Sequence, residues 1–356
     1  MGSSYDDPCI MIEIAPRLNM APLVVVELYR LGDIVYSWSL ADALSKQFPE
    51  RAVSILCSEI ATALPISKVS KIPVHYIDAP WLNKGWVWKP LAIAKAVKAS
   101  SVILRKIDDN AIYVCPRAGF IERLILPKAK FRGCIRIDTR EVSFRGKWMD
   151  LSATHPFAVR EQLFRQVGWK MDVDSSDCRM TWPFLNKTFG LEPVDPNLVL
   201  ICPEAGSHAR EWPIERWLKL AEFLLKIGRK VVFITTKGLI HHKLTAHGFN
   251  VWQGTIEELG LLMGRARAVV AVDSFAGHFA SAIGVPVLTL FGPQDPLTWK
   301  PHGKNNEYIQ AREASRWKYD SRRTIEAVGP KLMDALSFEA VCTKCESWLE
   351  KNLTKL

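Results

Sequence analysis

The sequence contains no run of about 18 uninterrupted apolar residues, the length a membrane-crossing helix needs, which excludes a helical channel or carrier. It also lacks G-x-x-x-x-G-K-[ST], G-x-G-x-x-G and H-E-x-x-H, so P-loop, dinucleotide-fingerprint and zincin chemistry have no foothold. Internal repeats and low-complexity tracts are absent, which removes solenoid, collagen-like and disordered classes. The eight cysteines (Cys9, Cys57, Cys115, Cys134, Cys178, Cys202, Cys342 and Cys345) show no framework spacing and lie mostly in apolar stretches. They are expected to be reduced, buried thiols of a cytoplasmic protein. Cys342-x-x-Cys345 has no second pair, and Asp172-Val173-Asp174 lies in a polar loop, so no metal site is expected. The first twenty residues are acidic early, with no basic segment leading into a long apolar core; no signal peptide is expected.

What is present is an ordinary globular composition: 356 residues, 48% hydrophobic and 24% charged, enough for about two domains. The net charge is +10, and it is concentrated. Residues 84–147 hold 15 Lys/Arg against 5 Asp/Glu, leaving the remainder near neutral. Such a block suits a polyanionic partner, whether nucleic acid, an anionic membrane surface or a phosphorylated substrate, and suits a solvated Lys-rich surface equally well.

Short β-rich runs alternate with amphipathic stretches. Strands are expected at 23–28, 52–57, 74–77, 111–115 and 132–137, with helices at 34–47, 91–106 and 119–126. The second half repeats the pattern, with strands at 198–202, 230–235, 268–272 and 285–291 and helices at 214–227, 256–263 and 278–283. Continuous apolar strands between helices indicate parallel sheets covered on both faces, hence two doubly wound α/β domains. The boundaries expected are 1–190, 191–329 and a helical tail, 330–356, packing back on the first domain. Residues 181–197, with three prolines, are the linker candidate.

Three strand ends carry candidate chemistry. After the first strand come Gly32 and Asp33: glycine for a tight strand-to-helix turn, aspartate either as a helix cap or as a group aimed at a ligand. After 198–202 comes the loop Pro203–Pro213, where Gly206, Ser207 and Arg210 precede a helix opened by proline, a plausible anion cradle or an ordinary loop. After 268–272 come Asp273, Ser274, Phe275, Gly277 and His278, where helix amides and a hydroxyl can hold a pyrophosphate.

In order and spacing, from Leu23 to Gly303, these segments resemble glycosyltransferase family 9, the ADP-heptose:lipopolysaccharide heptosyltransferases. The family's strand followed by x-x-x-G-D resembles Tyr29–Asp33, and its P-G-x-S…[KR]-x-W-P resembles Pro203–Pro213. Its G-x-x-x-x-x-[LI] segment is similar to Gly254–Leu259, and its D-[TS]-G-x-x-H…A-x-G-x-P-x-x-x-L-F-G-P-T-D-P resembles Asp273–His278 with Ala282–Pro296. Trp299, Pro301 and Gly303 match the ending W-x-P-x-G.

The resemblance implies a GT-B fold, two Rossmann-like domains facing across a cleft, and an inverting, metal-independent transfer of a heptose from a nucleotide sugar. ADP-heptose is the donor it implies, with no further cofactor. Asp33 would be the general base and Arg210 the cation that stabilises the departing diphosphate. Gly32, Gly206, Ser207, Thr255, Asp273, Ser274, Phe275, Gly277, His278, Gln294 and Asp295 would line the donor site. Arg117, Arg123, Arg136 and Arg140 are acceptor candidates, with Arg132 and Arg145 in the same block, for an anionic glycolipid such as the lipopolysaccharide inner core at the inner-membrane face. Departures are Phe275 and Gln294, where the family has glycine and threonine, and the absence of a ribose-binding carboxylate after strand 230–235. Two alternatives stand beside this reading: the same fold acting on a protein or nucleic-acid acceptor, and a non-catalytic basic binding protein.

Overall fold

The computed structural model describes residues 21–64, 71–82, 90–107, 110–115, 120–126, 135–137, 141–144, 147–150, 194–236, 238–301, 305–315 and 322–353. The chain divides into two compact units, Met1–Ser175 and Ser176–Leu356, so the division falls earlier than the expected residue 190.

In the first unit, strands β1 (Leu23–Glu27), β2 (Val53–Ser58), β3 (Val74–Ile77), β4 (Ile112–Cys115), β5 (Ile135–Ile137), β6 (Glu141–Phe144) and β7 (Lys147–Asp150) form one sheet in the order β3-β2-β1-β4-β5-β6-β7. The pairings from β3 to β5 are parallel, and β6 and β7 add an antiparallel hairpin that the periodicity did not disclose. All five residues of β1, Leu-Val-Val-Val-Glu, are buried, which explains its continuous apolar run: a central parallel strand has helices on both faces. Helices α1 (Leu31–Gln47), α2 (Pro90–Leu104) and α3 (Phe120–Ile125) belong to this unit.

The second unit is a six-stranded, all-parallel sheet in the order β10-β9-β8-β11-β12-β13. Its strands are β8 (Asp195–Cys202), β9 (Lys230–Ile234), β10 (Asn250–Trp252), β11 (Ala266–Val272), β12 (Val287–Phe291) and β13 (Glu307–Gln310). Helices α4 (Ile214–Lys226), α5 (Gly238–Ala246), α6 (Ile256–Arg265), α7 (Phe275–Ile283), α8 (Arg322–Asp334) and α9 (Phe338–Leu353) cover it, with short helical turns at Pro296–Trp299 and Arg312–Ser315. Asp195–Asn197, expected within the linker, already belongs to β8.

Helix α4 shows how local sequence becomes packing. Pro213 stands at its N-cap, and Trp217, Leu218, Leu220, Ala221 and Leu224 fall on one buried stripe at helical spacing. Trp217 is fully buried, edge-on to Trp212 at 5.2 Å between ring centroids. Removing such a side chain from water contributes roughly 1.5–3 kcal/mol. The tail is an integral part of this unit: α9 contributes Val341, Cys342, Cys345, Trp348 and Leu349 to the same core as α4. The tail is anchored there by Trp212 Nε1 donating to Leu336 O at 2.9 Å and Trp348 Nε1 donating to Asn305 O at 3.0 Å.

Candidate functional site

In an open α/β sheet, ligands bind beyond the carboxyl ends of the strands where the strand order reverses. The second sheet reverses between β8 and β11, and the first between β1 and β4. The candidate residues therefore stand where a ligand site is expected.

In the second unit the loop after β8 and the segment after β11 are tied together. Arg210 Nη1 donates to Asp273 Oδ2 at 3.1 Å. The Asp273 side chain is only 8% exposed and that of Arg210 23%, so this ion pair is sheltered. Arg210 lies in a single 3₁₀ turn, His208–Arg210, capped by Ser207, whose Oγ accepts from Ala209 N at 3.2 Å. The same loop is folded on itself by Glu211, which accepts from Ala205 N and approaches His208 Nδ1, each at 3.1 Å.

Ser274 is the N-cap of α7, yet its side chain makes no capping bond. Its Oγ is buried without a hydrogen-bond partner among the described residues. A buried hydroxyl left unsatisfied costs about 1–3 kcal/mol, and here it stands at the start of a helix, whose first amides have no intrahelical acceptor. The helix begins at Phe275, three residues before the expected start, and ends at Gly284 in the left-handed conformation. His278 is its fourth residue and is half-buried.

Other donor-site candidates have definite local roles. The Ser207 hydroxyl donates to the Glu326 carboxylate of α8, at 2.9 and 2.8 Å from its two oxygens. Thr255 is the N-cap of α6: its Oγ1 accepts from Glu258 N, while Glu258 Oε2 accepts from Thr255 N at 2.7 Å. The Thr255 backbone and hydroxyl bonds hold the Glu258 carboxyl below its ordinary range. Gly277 is turned into the core, where an added Cβ would lie 3.4–3.7 Å from Pro301, Ala271 and Val287, an ordinary contact distance. The Phe275 ring stacks on Phe279 at 5.2 Å with 19° between planes, which anchors it along the helix. Gln294 is half-buried and Asp295 exposed; Gln310 Nε2 pins this segment by donating to Gly292 O and Gln294 O at 2.7 and 2.9 Å. Gly206 is exposed in the loop after β8.

In the first unit, Gly32 and Asp33 are the second and third residues of α1. Gly32 has no positive φ, so the turn does not need it for that reason; Gly228, Gly248 and Gly284 have that geometry. Asp33 is half-buried, and its Oδ2 accepts from Arg30 N at 3.4 Å across the helix start. The loop before it is clamped from three sides. Trp81 Nε1 donates to Leu28 O at 2.7 Å, Ser58 Oγ to Tyr29 O at 2.9 Å, and Tyr29 N to Glu27 Oε1 at 3.1 Å. Glu27 is 2% exposed and also accepts from Ser37 Oγ at 3.1 Å. Burial and the Glu27 charge push the neighbouring Cys57 thiol up to about 12. Of the acceptor candidates, Arg117 and Arg140 lie outside the described residues, as do Arg132 and Arg145; Arg123 is placed on α3 and Arg136 on β5 by backbone alone.

Glu204 and Glu326 were not singled out from the sequence. Glu204 leaves a signal, a charged residue directly after a buried strand and at the motif's glycine position. Glu326 leaves none, being 119 residues from its partner. Among the described residues no group of His, Cys, Asp or Glu is arranged to hold a metal ion, and no helix is long and apolar enough to cross a membrane.

The sequence pattern of glycosyltransferase family 9 (heptosyltransferase) matches residues 152–327. Lipopolysaccharide heptosyltransferase 3 of Escherichia coli K12 is 26% identical over 188 residues, 50% of this chain and 53% of that protein. Lipopolysaccharide heptosyltransferase 1 of the same organism is 24% identical over 177 residues, 47% and 54% of the two chains. These matches thus span about half the length of the curated relatives. In structure, the family 9 glycosyl transferase of Veillonella parvula superposes with a TM-score of 0.65 at 16% identity, covering 93% of this chain and 97% of that one. The E. coli heptosyltransferase WaaC with ADP gives 0.62 at 14%, covering 92% and 99%. These likenesses give the chain the GT-B fold, with two Rossmann-like units, and its residues 152–327 match the heptosyltransferase family, glycosyltransferase family 9.

Proposed function

We propose that the protein transfers a heptose from a nucleotide-diphosphate donor, ADP-heptose, to an anionic glycolipid of the lipopolysaccharide inner-core type. The observation that carries this reading is the sheltered Arg210–Asp273 pair beside the orphaned Ser274 hydroxyl at the start of α7. A guanidinium has five donors, and a cation bonded to Asp273, with the Ser274 hydroxyl next in sequence at a helix start, supports a diphosphate as the ligand.

In the proposed step Asp33 takes the proton of the acceptor hydroxyl as its oxygen attacks the anomeric carbon. The bond from that carbon to the β-phosphate oxygen breaks, with inversion. Arg210 and the α7 amides take up the charge that develops on the departing diphosphate. No metal ion enters this scheme, in keeping with the family resemblance.

The acceptor assignment draws on charge. No acidic residue occurs between Ala79 and Ile107. Leu91, Ala94, Lys95, Lys98, Ala99, Val102, Arg105 and Lys106 form one exposed face along α2 and just past its end. A basic face carrying exposed apolar side chains suits an anionic lipid surface. A cytoplasmic enzyme docking on the inner face of a membrane follows from this reading.

The test is a calorimetric panel of ADP, UDP, GDP and their sugars, followed by transfer assays on lipid-core fragments. ADP or ADP-heptose should bind, and Asp33→Asn should retain that binding while transfer falls about 10²–10⁴-fold. A preference for UDP or GDP overturns the heptose assignment. Absence of binding to all of them returns the protein to the non-catalytic reading.

A further inference from the structure

We infer that Glu204 is the carboxylate that receives the ribose hydroxyls of the nucleotide donor, supplied from β8 because the end of β9 has none. This rests on the donor-site reading above and adds to it the group that selects an intact ribose diol.

Glu204 follows β8 by two residues, at the strand bordering the point where the sheet order reverses. In the family motif that position is glycine. A carboxylate there, beside a subsite meant for phosphates, is a cost unless it has its own work, since like charges repel. The side chain turns sideways onto the neighbouring strand end. Thr235 Oγ1 donates to its Oε1, and Thr236 donates to its Oε2 from both N and Oγ1, each at 2.8 Å. Doubly wound nucleotide-binding sheets present, beyond the strand next to the phosphate loop, an acidic residue that accepts a ribose hydroxyl. Here that place holds Thr235 and Thr236, followed in sequence by Lys237, and no carboxylate of its own. Glu204 arrives there from the adjacent strand and is held in place by these two threonines.

The surroundings fit a neutral diol. Thr236 is exposed and Glu204 half-buried, so the group faces solvent at the carboxyl edge of the sheet. An ionised carboxylate only accepts hydrogen bonds, which matches hydroxyl donors and rejects phosphate. Arg210, six residues further along the same loop, is the cation assigned to the diphosphate, so Glu204 and Arg210 serve different parts of one ligand.

The experiment is calorimetric titration of ADP, UDP and GDP, each with its 2′-deoxy and 3′-deoxy form, into wild type and Glu204→Gln. The isosteric amide retains a carbonyl oxygen for Thr236, and thermal unfolding checks that the variant folds. Whichever nucleotide binds best should bind wild type about tenfold more tightly than its deoxy forms, the loss expected for one good hydrogen bond. In the variant the three should converge at the deoxy affinity. Equal weakening of ribose and deoxy forms makes Glu204 a strand clip and overturns the inference. So does a wild type indifferent to the missing hydroxyls, a result that needs no variant. Failure of every nucleotide to bind wild type instead removes the donor-site reading and this inference with it.

Discussion

The two units share a sheet plan but differ in the balance of contacts that hold their strand-end loops. In the first, neutral donors on Trp81 and Ser58 fasten backbone carbonyls of the loop after β1, while Glu27 takes a backbone amide of the same loop. In the second, side chains bridge from one segment to another: Arg210 to Asp273, Glu204 to Thr235 and Thr236, Ser207 to Glu326. Backbone clamps fix one short segment and set a single carboxylate, Asp33, at a helix start. Side-chain bridges bring several groups to one edge and leave them able to exchange partners with a ligand. In the proposed reaction a base needs only placement, whereas a diphosphate and a ribose would need many donors and acceptors at once.

The sharpest way to break this contrast is Arg210→Ala. It removes the cation from the second unit's bridge and leaves Asp273 buried without its partner. Transfer should fall by about 10²–10³-fold, or roughly 3–4 kcal/mol of barrier, with ADP binding weakened in calorimetry. A variant of undiminished activity would detach the ion pair from the donor site.

A smaller effect is expected from Trp81→Phe in the first unit. The ring still fills its place, but the Leu28 carbonyl loses its donor, at a cost of about 1–3 kcal/mol in chemical denaturation. Transfer should drop through kcat while donor affinity holds, because the clamp acts on the loop that leads into the helix start carrying Asp33. Weakened donor binding instead would contradict the division of labour between the units.

The smallest effect concerns the scaffold of the second unit. Hydrogen bonds from Lys344 and Lys351 of α9, at 2.5 and 2.8 Å, hold the Glu307 carboxyl of β13 below its ordinary range. A depressed carboxyl adds stability above its unfolded pKa, near 4.5, and loses it as pH falls through the lower folded value. Both lysines are partly exposed, so solvent screens the pair and Glu307→Gln should cost below about 1 kcal/mol at pH 7. Thermal melts between pH 3 and pH 7 should show the variant and wild type converging at the acid end.

Many of the strands were legible because central parallel strands are buried on both faces and read as unbroken apolar runs, as in β1, β8 and β11. The strands that escaped notice lie at or near edges and mix polar with apolar residues: β6 and β7 (Glu-Val-Ser-Phe and Lys-Trp-Met-Asp), β10 (Asn-Val-Trp) and β13 (Glu-Tyr-Ile-Gln). Helix α5, which opens on glycine and carries two adjacent histidines, also left little pattern. Among the candidate site residues, Asp33, Arg210 and Asp273 stood out by their places after strands. The Thr255 cap is written locally, as the capping box Thr-Ile-Glu-Glu with its partner three residues on, and was missed all the same; the core neighbours of Gly277 come only with the fold. Glu204 was passed over because its partners lie one strand away and 31 residues along.

The tail helices carry a consequence for synthesis. Trp348 is 1% exposed in the core shared with α4, and Arg267, on β11, donates to the carbonyl of Asn352. A chain emerging from the ribosome can assemble the first unit's sheet early, whereas the second cannot close its core until residues 338–353 have followed it out. During that interval the apolar faces of β8, β9 and β11 have no cover from α9. A nascent second unit therefore keeps part of its apolar core exposed until those residues arrive.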